Sequence, residues 1–115
     1  MLRNGFYSVN FSTPQGMGDG LILVRNGVVR GGDHGFIYQG ELTLSGTATS
    51  NGQVTGTLHI KRYRQGEKSV FGPIPEFSLT VKGTFESRTF DLHGTTPAAP
   101  NMTIQIRGQH VNDEA

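Results

Sequence analysis

Apolar and polar side chains alternate along most of this chain with a period of two residues. The clearest run covers residues 77–85, in which Phe77, Leu79, Val81 and Phe85 share one face while serine, threonine and lysine take the other. A period of two puts successive side chains on opposite faces of an extended strand, whereas an amphipathic helix repeats about every 3.6 residues. The pattern therefore predicts half-buried β-strands.

Eight segments carry this alternation, and no segment carries a sustained helical period. The predicted strands cover residues 6–11, 18–25, 28–31, 36–44, 54–63, 77–85, 89–94 and 102–108. Glycine is abundant between and within them, because the 17 glycines in 115 residues are about twice the average share. The pairs Asn26-Gly27 and Asn51-Gly52 predict tight hairpin turns, since Asn-Gly adopts the positive φ angles of a type I′ turn.

Short connections between consecutive strands predict an all-β fold in which neighbours pair antiparallel. Closing such a meander removes its exposed edges, and eight strands form a barrel that side chains fill or that holds one small ligand. We therefore predict an eight-stranded antiparallel up-and-down β-barrel, with a two-sheet sandwich as the alternative. Residues 1–110 are expected to form this single domain, and residues 111–115 a flexible C-terminal tail.

The inward faces of the predicted strands define one contiguous core. Its expected members are Tyr7, Val9, Phe11, Phe36, Tyr38, Leu58, Ile60, Phe77, Leu79, Val81, Phe85, Phe90, Leu92, Ile104 and Ile106. The second strand is an exception to the alternation, because Leu21, Ile22, Leu23 and Val24 are apolar in succession. A barrel wall has one inner face, so either Leu21 and Leu23 or Ile22 and Val24 must point outward. An exposed apolar face of that kind predicts a homodimer.

Several glycines fall in register with the inward side chains, namely Gly40, Gly56, Gly83, Gly94 and Gly108. They are open to two interpretations. Inward glycine permits the sharp coiling of a small barrel, but missing side chains would also leave an apolar cavity. The candidate cavity-lining residues are Phe36, Tyr38, Leu58, Phe77, Phe85 and Ile104, and the expected occupant is a small apolar molecule.

The titratable residues do not form a pattern typical of catalysis or metal binding. The chain has no cysteine, and His34, His59, His93 and His110 lack the close spacing of metal ligands. We expect these histidines at the surface, and Asp33 with His34 in a tight glycine-rich turn. No Gly-x-Ser-x-Gly elbow presents a nucleophile. The sequence thus predicts neither an enzyme nor a cofactor.

Charge is balanced, with a net value of +1, so no global field would attract a polyanion or a membrane. One basic cluster, Lys61, Arg62, Arg64 and Lys68 around Tyr63, resembles a single-strand nucleic-acid platform. Its position at a strand end favours a solvated edge instead, and we expect no nucleic-acid partner. The beginning of the chain lacks a long apolar run, which favours a cytoplasmic location. The candidate interface residues for a protein partner are Leu21, Ile22, Leu23, Val24, Arg62 and Arg64.

Three stretches resemble the GrlR-like family, small negative regulators of type III secretion gene expression. They are Asn-Gly-Phe-Tyr-Ser-Val-Asn-Phe at 4–11, the stretch 20–42 with Gly-Gly-Asp at 31–33 and Tyr-Gln-Gly-Glu-Leu at 38–42, and Leu-His-Ile-Lys-Arg-Tyr at 58–63. The resemblance implies a dimeric lipocalin-like, or calycin-like, barrel with an apolar interior. It also implies a protein that binds a transcriptional activator and holds it off DNA.

One departure from that family concerns the partner. Family members carry consecutive acidic residues just after the Tyr-x-Gly-x-Leu segment, whereas residues 43–52 are here Thr-Leu-Ser-Gly-Thr-Ala-Thr-Ser-Asn-Gly. A neutral segment cannot pair with a basic surface. The resemblance therefore does not identify partner-binding residues in this chain. The leading expectation is a non-catalytic regulatory barrel that binds a protein partner, and the alternative is a binder of a small apolar ligand.

Overall fold

The computed structural model describes residues 2–45 and 51–114, which form eight β-strands in one closed sheet. Each strand pairs antiparallel with the next, and β8 returns to pair with β1. The predicted eight-stranded up-and-down barrel is confirmed, and the sandwich alternative is wrong. The strands are β1 (Gly5–Thr13), β2 (Gly16–Arg25), β3 (Val28–Gly32), β4 (Phe36–Ser45), β5 (Asn51–Arg62), β6 (Glu76–Glu86), β7 (Thr89–Thr95) and β8 (Ile104–Asn112).

The two Asn-Gly pairs have different outcomes. Asn26 (φ 50°) and Gly27 (φ 83°) form the predicted turn between β2 and β3, both with positive φ. The turn predicted at Asn51-Gly52 is wrong, because both residues already belong to β5 and pair with the end of β6. The remaining residues of that connection, 46–50, lie outside the described residues.

The predicted boundary of the C-terminal tail is also wrong. β8 continues to Asn112, so the first two residues of the predicted tail extend the strand. The next carboxylate, Asp113, accepts hydrogen bonds from the Arg3 guanidinium at 2.8 and 2.9 Å. The two chain ends therefore meet at the same end of the barrel, where β8 closes on β1.

The core follows the predicted inner faces. All of the predicted core residues are buried except Phe11 and Leu58, which are partly buried and pack against the others. Further buried members are Leu2, Ile22, Val24, Val29, Leu42, Val54 and Phe71. Because Ile22 and Val24 face inward, their prediction as interface residues is wrong. Leu21 and Leu23 are the pair that points outward.

Close approach of the neighbouring strand explains the inward glycines Gly40, Gly56 and Gly83. A Cβ atom at Gly40 would lie 2.2 Å from the carbonyl oxygen of Thr57, and one at Gly83 would lie 2.0 Å from that of Asp91. Both distances are far below van der Waals contact, so a side chain at either position would force the neighbouring strand away. These glycines serve the tight curvature of a small barrel, in agreement with the first of the two interpretations.

The long connection between β5 and β6, residues 63–75, covers one end of the barrel, and we call it the cap segment. Phe71 is only 5% exposed and packs edge-on against Phe77, with ring centroids 5.4 Å apart. The hydroxyl of Thr13 donates a hydrogen bond to the carbonyl of Val70. The cap segment is thus attached to the barrel by an aromatic side chain and by its own backbone.

Candidate ligand-binding site

A cavity of about 340 Å³ lies inside the barrel at the end covered by the cap segment. All eight strands contribute apolar side chains to its walls. These are Val9, Phe11, Met17, Ile22, Val29, Phe36, Tyr38, Leu42, Leu58, Ile60, Phe77, Leu79, Phe90, Leu92, Ile104 and Ile106. The lumen is therefore an apolar compartment with walls made of strand side chains.

Five of the six predicted cavity residues border this space, namely Phe36, Tyr38, Leu58, Phe77 and Ile104. The prediction for Phe85 is wrong. Phe85 is buried, but it lies near the end of β6 opposite the cap segment, whereas Phe77 and Leu79 at the other end of the same strand line the cavity. Period two correctly indicated that its side chain points inward, but not its position along the barrel axis.

Two glycines of β2 make room for aromatic walls of the cavity. A Cβ atom at Gly18 would lie 2.8 Å from Cε2 of Phe11, and one at Gly20 would lie 3.1 Å from the ring and the hydroxyl of Tyr38. The two rings meet edge to face with centroids 6.3 Å apart. Glycine at these inward positions thus allows both rings to lie close against β2.

The polar groups that border the cavity are concentrated near the cap segment, and Asp33 is the most connected of them. One oxygen of its carboxylate accepts hydrogen bonds from the backbone N–H groups of Gly35 and Phe36, both at 2.8 Å. The other oxygen accepts a hydrogen bond from the Tyr38 hydroxyl. The predicted tight turn after β3 is confirmed as an Asx turn, and it fixes a carboxylate beside the cavity.

The Tyr38 hydroxyl remains protonated because of where it lies. Burial raises the pKa of Tyr38 well above its usual value, and the hydrogen bond to the Asp33 carboxylate raises it further. Asp19 adds a smaller contribution of the same sign. Tyr38 therefore offers a neutral hydroxyl at the boundary between the apolar walls and the polar end.

Further charged residues border the cavity at this end. Asp19, Glu67 and Lys68 all line it, as does His34, whose Nε2 is 3.4 Å from a Glu67 carboxylate oxygen. Among the described lysines and arginines, Lys68 alone lines the cavity. The polar end consequently carries more carboxylates than fixed cations.

The two predicted interface arginines lie near the cap segment without lining the cavity. Arg62 is half-buried and its Nη1 donates to the Glu67 carbonyl at 3.5 Å, while Arg64 is exposed. Tyr63 links the same region to the turn after β3, because its hydroxyl donates to the Asp33 carbonyl at 2.6 Å. The basic cluster is thus the exposed end of β5 together with the start of the cap segment.

A second feature is an apolar patch on the outside of the barrel. Leu21 is 49% exposed and Ile37 is 40% exposed, and each pairs with Gly32 of the intervening strand β3. Since Gly32 has no side chain, no side chain of β3 separates Leu21 from Ile37 at this level of the sheet. Leu23 and its β1 partner Phe6 extend the patch. We call Phe6, Leu21, Leu23 and Ile37 the outer apolar patch.

The histidines follow the prediction with one exception. His34, His59 and His93 are exposed, but the His110 side chain is only 6% exposed and its ring meets that of Tyr7 edge-on at 5.3 Å. An irregularity in the β1–β8 pairing between Phe6 and Tyr7 accompanies this inward turn. Within residues 2–45 and 51–114, no three histidine, aspartate or glutamate side chains come together as metal ligands.

Val70 and Asp33 are among the cavity-lining residues that the sequence prediction missed. Val70 lies in a segment without alternation, where the available signal was the apolar pair Val70-Phe71. Asp33 was predicted in a turn but not as the partner of Tyr38. Over the described part of the chain, no helix is long and apolar enough to span a membrane.

A comparison of the sequence with protein-family models and with curated proteins finds no match. Membership of the GrlR-like family therefore remains a prediction that rests on the stretches 4–11, 20–42 and 58–63.

Proposed function

We propose that this protein binds a small, mainly apolar molecule in the lumen of its barrel and acts without catalysis. The observation that carries the proposal is the cavity of about 340 Å³ with walls of apolar side chains from every strand. Ligand sites typically measure about 300–1,000 Å³ and combine apolar walls with a few polar groups. Eight-stranded barrels are also wide enough to hold one small ligand.

A pair of tryptophan variants tests this proposal. Leu58 lines the cavity, so Leu58→Trp should fill much of it, whereas Thr57→Trp places the same indole on the outer face of the same strand. Binding of the neutral alcohol octanol is measured by isothermal titration calorimetry on wild type and both variants. The chain contains no other tryptophan, so the fluorescence of each variant also reports whether its indole is buried.

Wild type and Thr57→Trp should bind octanol, and Leu58→Trp should bind at least about tenfold more weakly, a difference of about 1.4 kcal/mol. Circular dichroism and urea unfolding establish that Leu58→Trp is still folded. Equal binding by a folded Leu58→Trp protein, or no binding by wild type, would contradict the proposal.

The second candidate function is the one implied by the resemblance, a cytoplasmic negative regulator that binds a protein such as a transcriptional activator. The outer apolar patch supports it, because exposed apolar residues in a contiguous group are typical of protein interaction surfaces. Leu21 and Ile37 are its most exposed members. Residues 43–45 and 51–52, the described part of the neutral segment 43–52, offer no charge for such a partner.

Affinity capture from the native host with matched variants tests the regulator. Leu21→Asp alters the patch, and charge reversal of Arg62 and Arg64 alters the basic edge. Thr55→Asp introduces the same charge on an exposed position of β5 and serves as the control. The regulator is supported if wild type and Thr55→Asp capture a DNA-binding protein that either Leu21→Asp or the charge-reversal variant fails to capture. Capture of the same proteins by all variants would contradict it.

A further inference from the structure

We infer that the lumen prefers amphiphiles whose single polar end is a protonated amine over carboxylates with the same apolar tail. This inference rests on the proposed function, since it concerns the ligand of the same cavity. It follows from which charged groups border the cavity and from where along its length they lie.

The polar groups indicate how a ligand would be oriented. Asp33 and His34 border the cavity from the turn after β3, and Glu67 and Lys68 border it from the cap segment. The deeper walls consist of aliphatic and aromatic side chains, such as Leu79 and Leu92. Because burying a polar group among such side chains is costly, an amphiphile would place its tail in the barrel and its polar end beside the cap segment.

The charges at that end favour a cation. Three acidic residues border the cavity, the half-buried Asp33 and Glu67 and the exposed Asp19, and the fixed cation among the described lining residues is Lys68. Arg62 stays behind the cap segment, where its guanidinium donates to the Glu67 carbonyl. A carboxylate placed here would be repelled by the three acidic side chains, whereas an ammonium group would be attracted.

Hydrogen-bonding capacity leads to the same preference. A carboxylate can accept about four hydrogen bonds, and Asp33 accepts three, from Gly35, Phe36 and Tyr38. The Tyr38 hydroxyl donates a hydrogen bond to Asp33, so its oxygen is left as an acceptor. Asp33 and the Tyr38 oxygen can thus each accept a further hydrogen bond, which an ammonium group can donate and a carboxylate cannot.

Three probes with the same tail test the inference, namely octylamine, octanol and octanoate, measured by isothermal titration calorimetry at neutral pH. Octylamine is then protonated and octanoate ionised. Octylamine should bind about tenfold more tightly than octanoate, because exposed charges that attract the amine and repel the carboxylate each change the affinity by less than about tenfold. Raising the salt concentration should reduce the ratio, since exposed charges are screened.

Single substitutions establish that the local charges cause the preference. Asp19→Asn should reduce the ratio of octylamine to octanoate affinity to about threefold, and Lys68→Gln should increase it. Glu86→Gln removes the same unit of charge at the opposite end of β6, where the side chain is exposed, and should leave the ratio unchanged. None of these variants removes a buried side chain, so each should fold.

The outcomes separate this inference from the function on which it rests. If octanol binds but octanoate binds as tightly as octylamine, the preference for an amine is wrong while lumen binding stands. The same holds if Glu86→Gln reduces the ratio as much as Asp19→Asn, because total charge would then be the cause. If none of the three probes binds wild type, both the inference and the proposed function are wrong.

Discussion

The aromatic ring of Phe90 lies directly against the backbone of Gly108, its partner in the β7–β8 pair. A Cβ atom at Gly108 would be 2.1 Å from Cζ of Phe90. The same ring borders the cavity and lies 5.5 Å from the ring of Tyr7. Gly108 therefore determines the position of one cavity wall.

Gly108→Ala should destabilise the protein by about 1–3 kcal/mol, as overpacking of a core does. The added methyl group must displace the Phe90 ring toward the cavity or separate β7 from β8. Gly16→Ala is the matched control, because nothing lies within 4 Å of a Cβ atom there. Urea unfolding measures both variants, and equal stabilities would show that the contact between Phe90 and Gly108 is not as close as described.

Leu79→Ala should cost about 2–5 kcal/mol of unfolding free energy, since Leu79 is 3% exposed and truncation leaves a cavity in the core. Met17→Ala removes an apolar side chain that is 83% exposed and should change stability by less than about 0.5 kcal/mol. Chemical denaturation compares the two. A loss below about 0.5 kcal/mol for Leu79→Ala would contradict the inward assignment of this β6 residue.

The outer apolar patch predicts a homodimer in which two copies bury Leu21 and Ile37 against each other. Light scattering at high micromolar concentration should give twice the monomer mass for wild type. Leu21→Asp combined with Ile37→Asp should give monomers, because burying two charges in an apolar contact is costly. Thr55→Asp, on the exposed face of β5, should remain dimeric. A monomeric wild type would exclude this interface.

Stability should fall in alkaline solution, partly through Tyr7. Burial raises the pKa of Tyr7 from 10.0 to about 12, although the nearby Arg3 and Arg88 oppose the shift. Above pH 10 the unfolded chain ionises this tyrosine while the folded protein still keeps the proton, so the contribution is full below pH 10 and is lost as pH rises through about 12.

Tyr7→Phe isolates this effect, since Tyr38 is shifted in the same direction and remains in both proteins. Between about pH 9 and about pH 11, wild type should lose about 1 kcal/mol more unfolding free energy than Tyr7→Phe. Urea unfolding at the two pH values gives the difference. Equal losses in the two proteins would show that the Tyr7 pKa is not raised by folding.

Local signals in the sequence were sufficient for the strands and for one turn. The alternation in residues 77–85 predicted the inward side chains of β6, and Asn26-Gly27 formed the expected turn because both φ angles are positive. The same dipeptide at Asn51-Gly52 failed, since pairing with Phe85 and Glu86 extends β5 through it. Ladder hydrogen bonds along a whole strand override the turn preference of two residues.

For the second strand, the sequence left two options that only packing could separate. Four consecutive aliphatic residues at 21–24 carry no alternation, so either pair could have faced inward. The barrel buries Ile22 and Val24 because they share the inner face with Gly20 and Gly18, where Tyr38 and Phe11 need the space. Leu21 and Leu23 are left on the outside.

The sequence by itself determined which side is buried in each strand that alternates, because a period of two is a local property of the chain. The tertiary structure decided which inward residues border the cavity, because that depends on position along the barrel axis. Tyr38 and Phe85 both point inward, yet only Tyr38 reaches the cavity beside Asp33. Their separation is set by the stagger of the paired strands and by closure of β8 on β1, which are properties of the whole sheet.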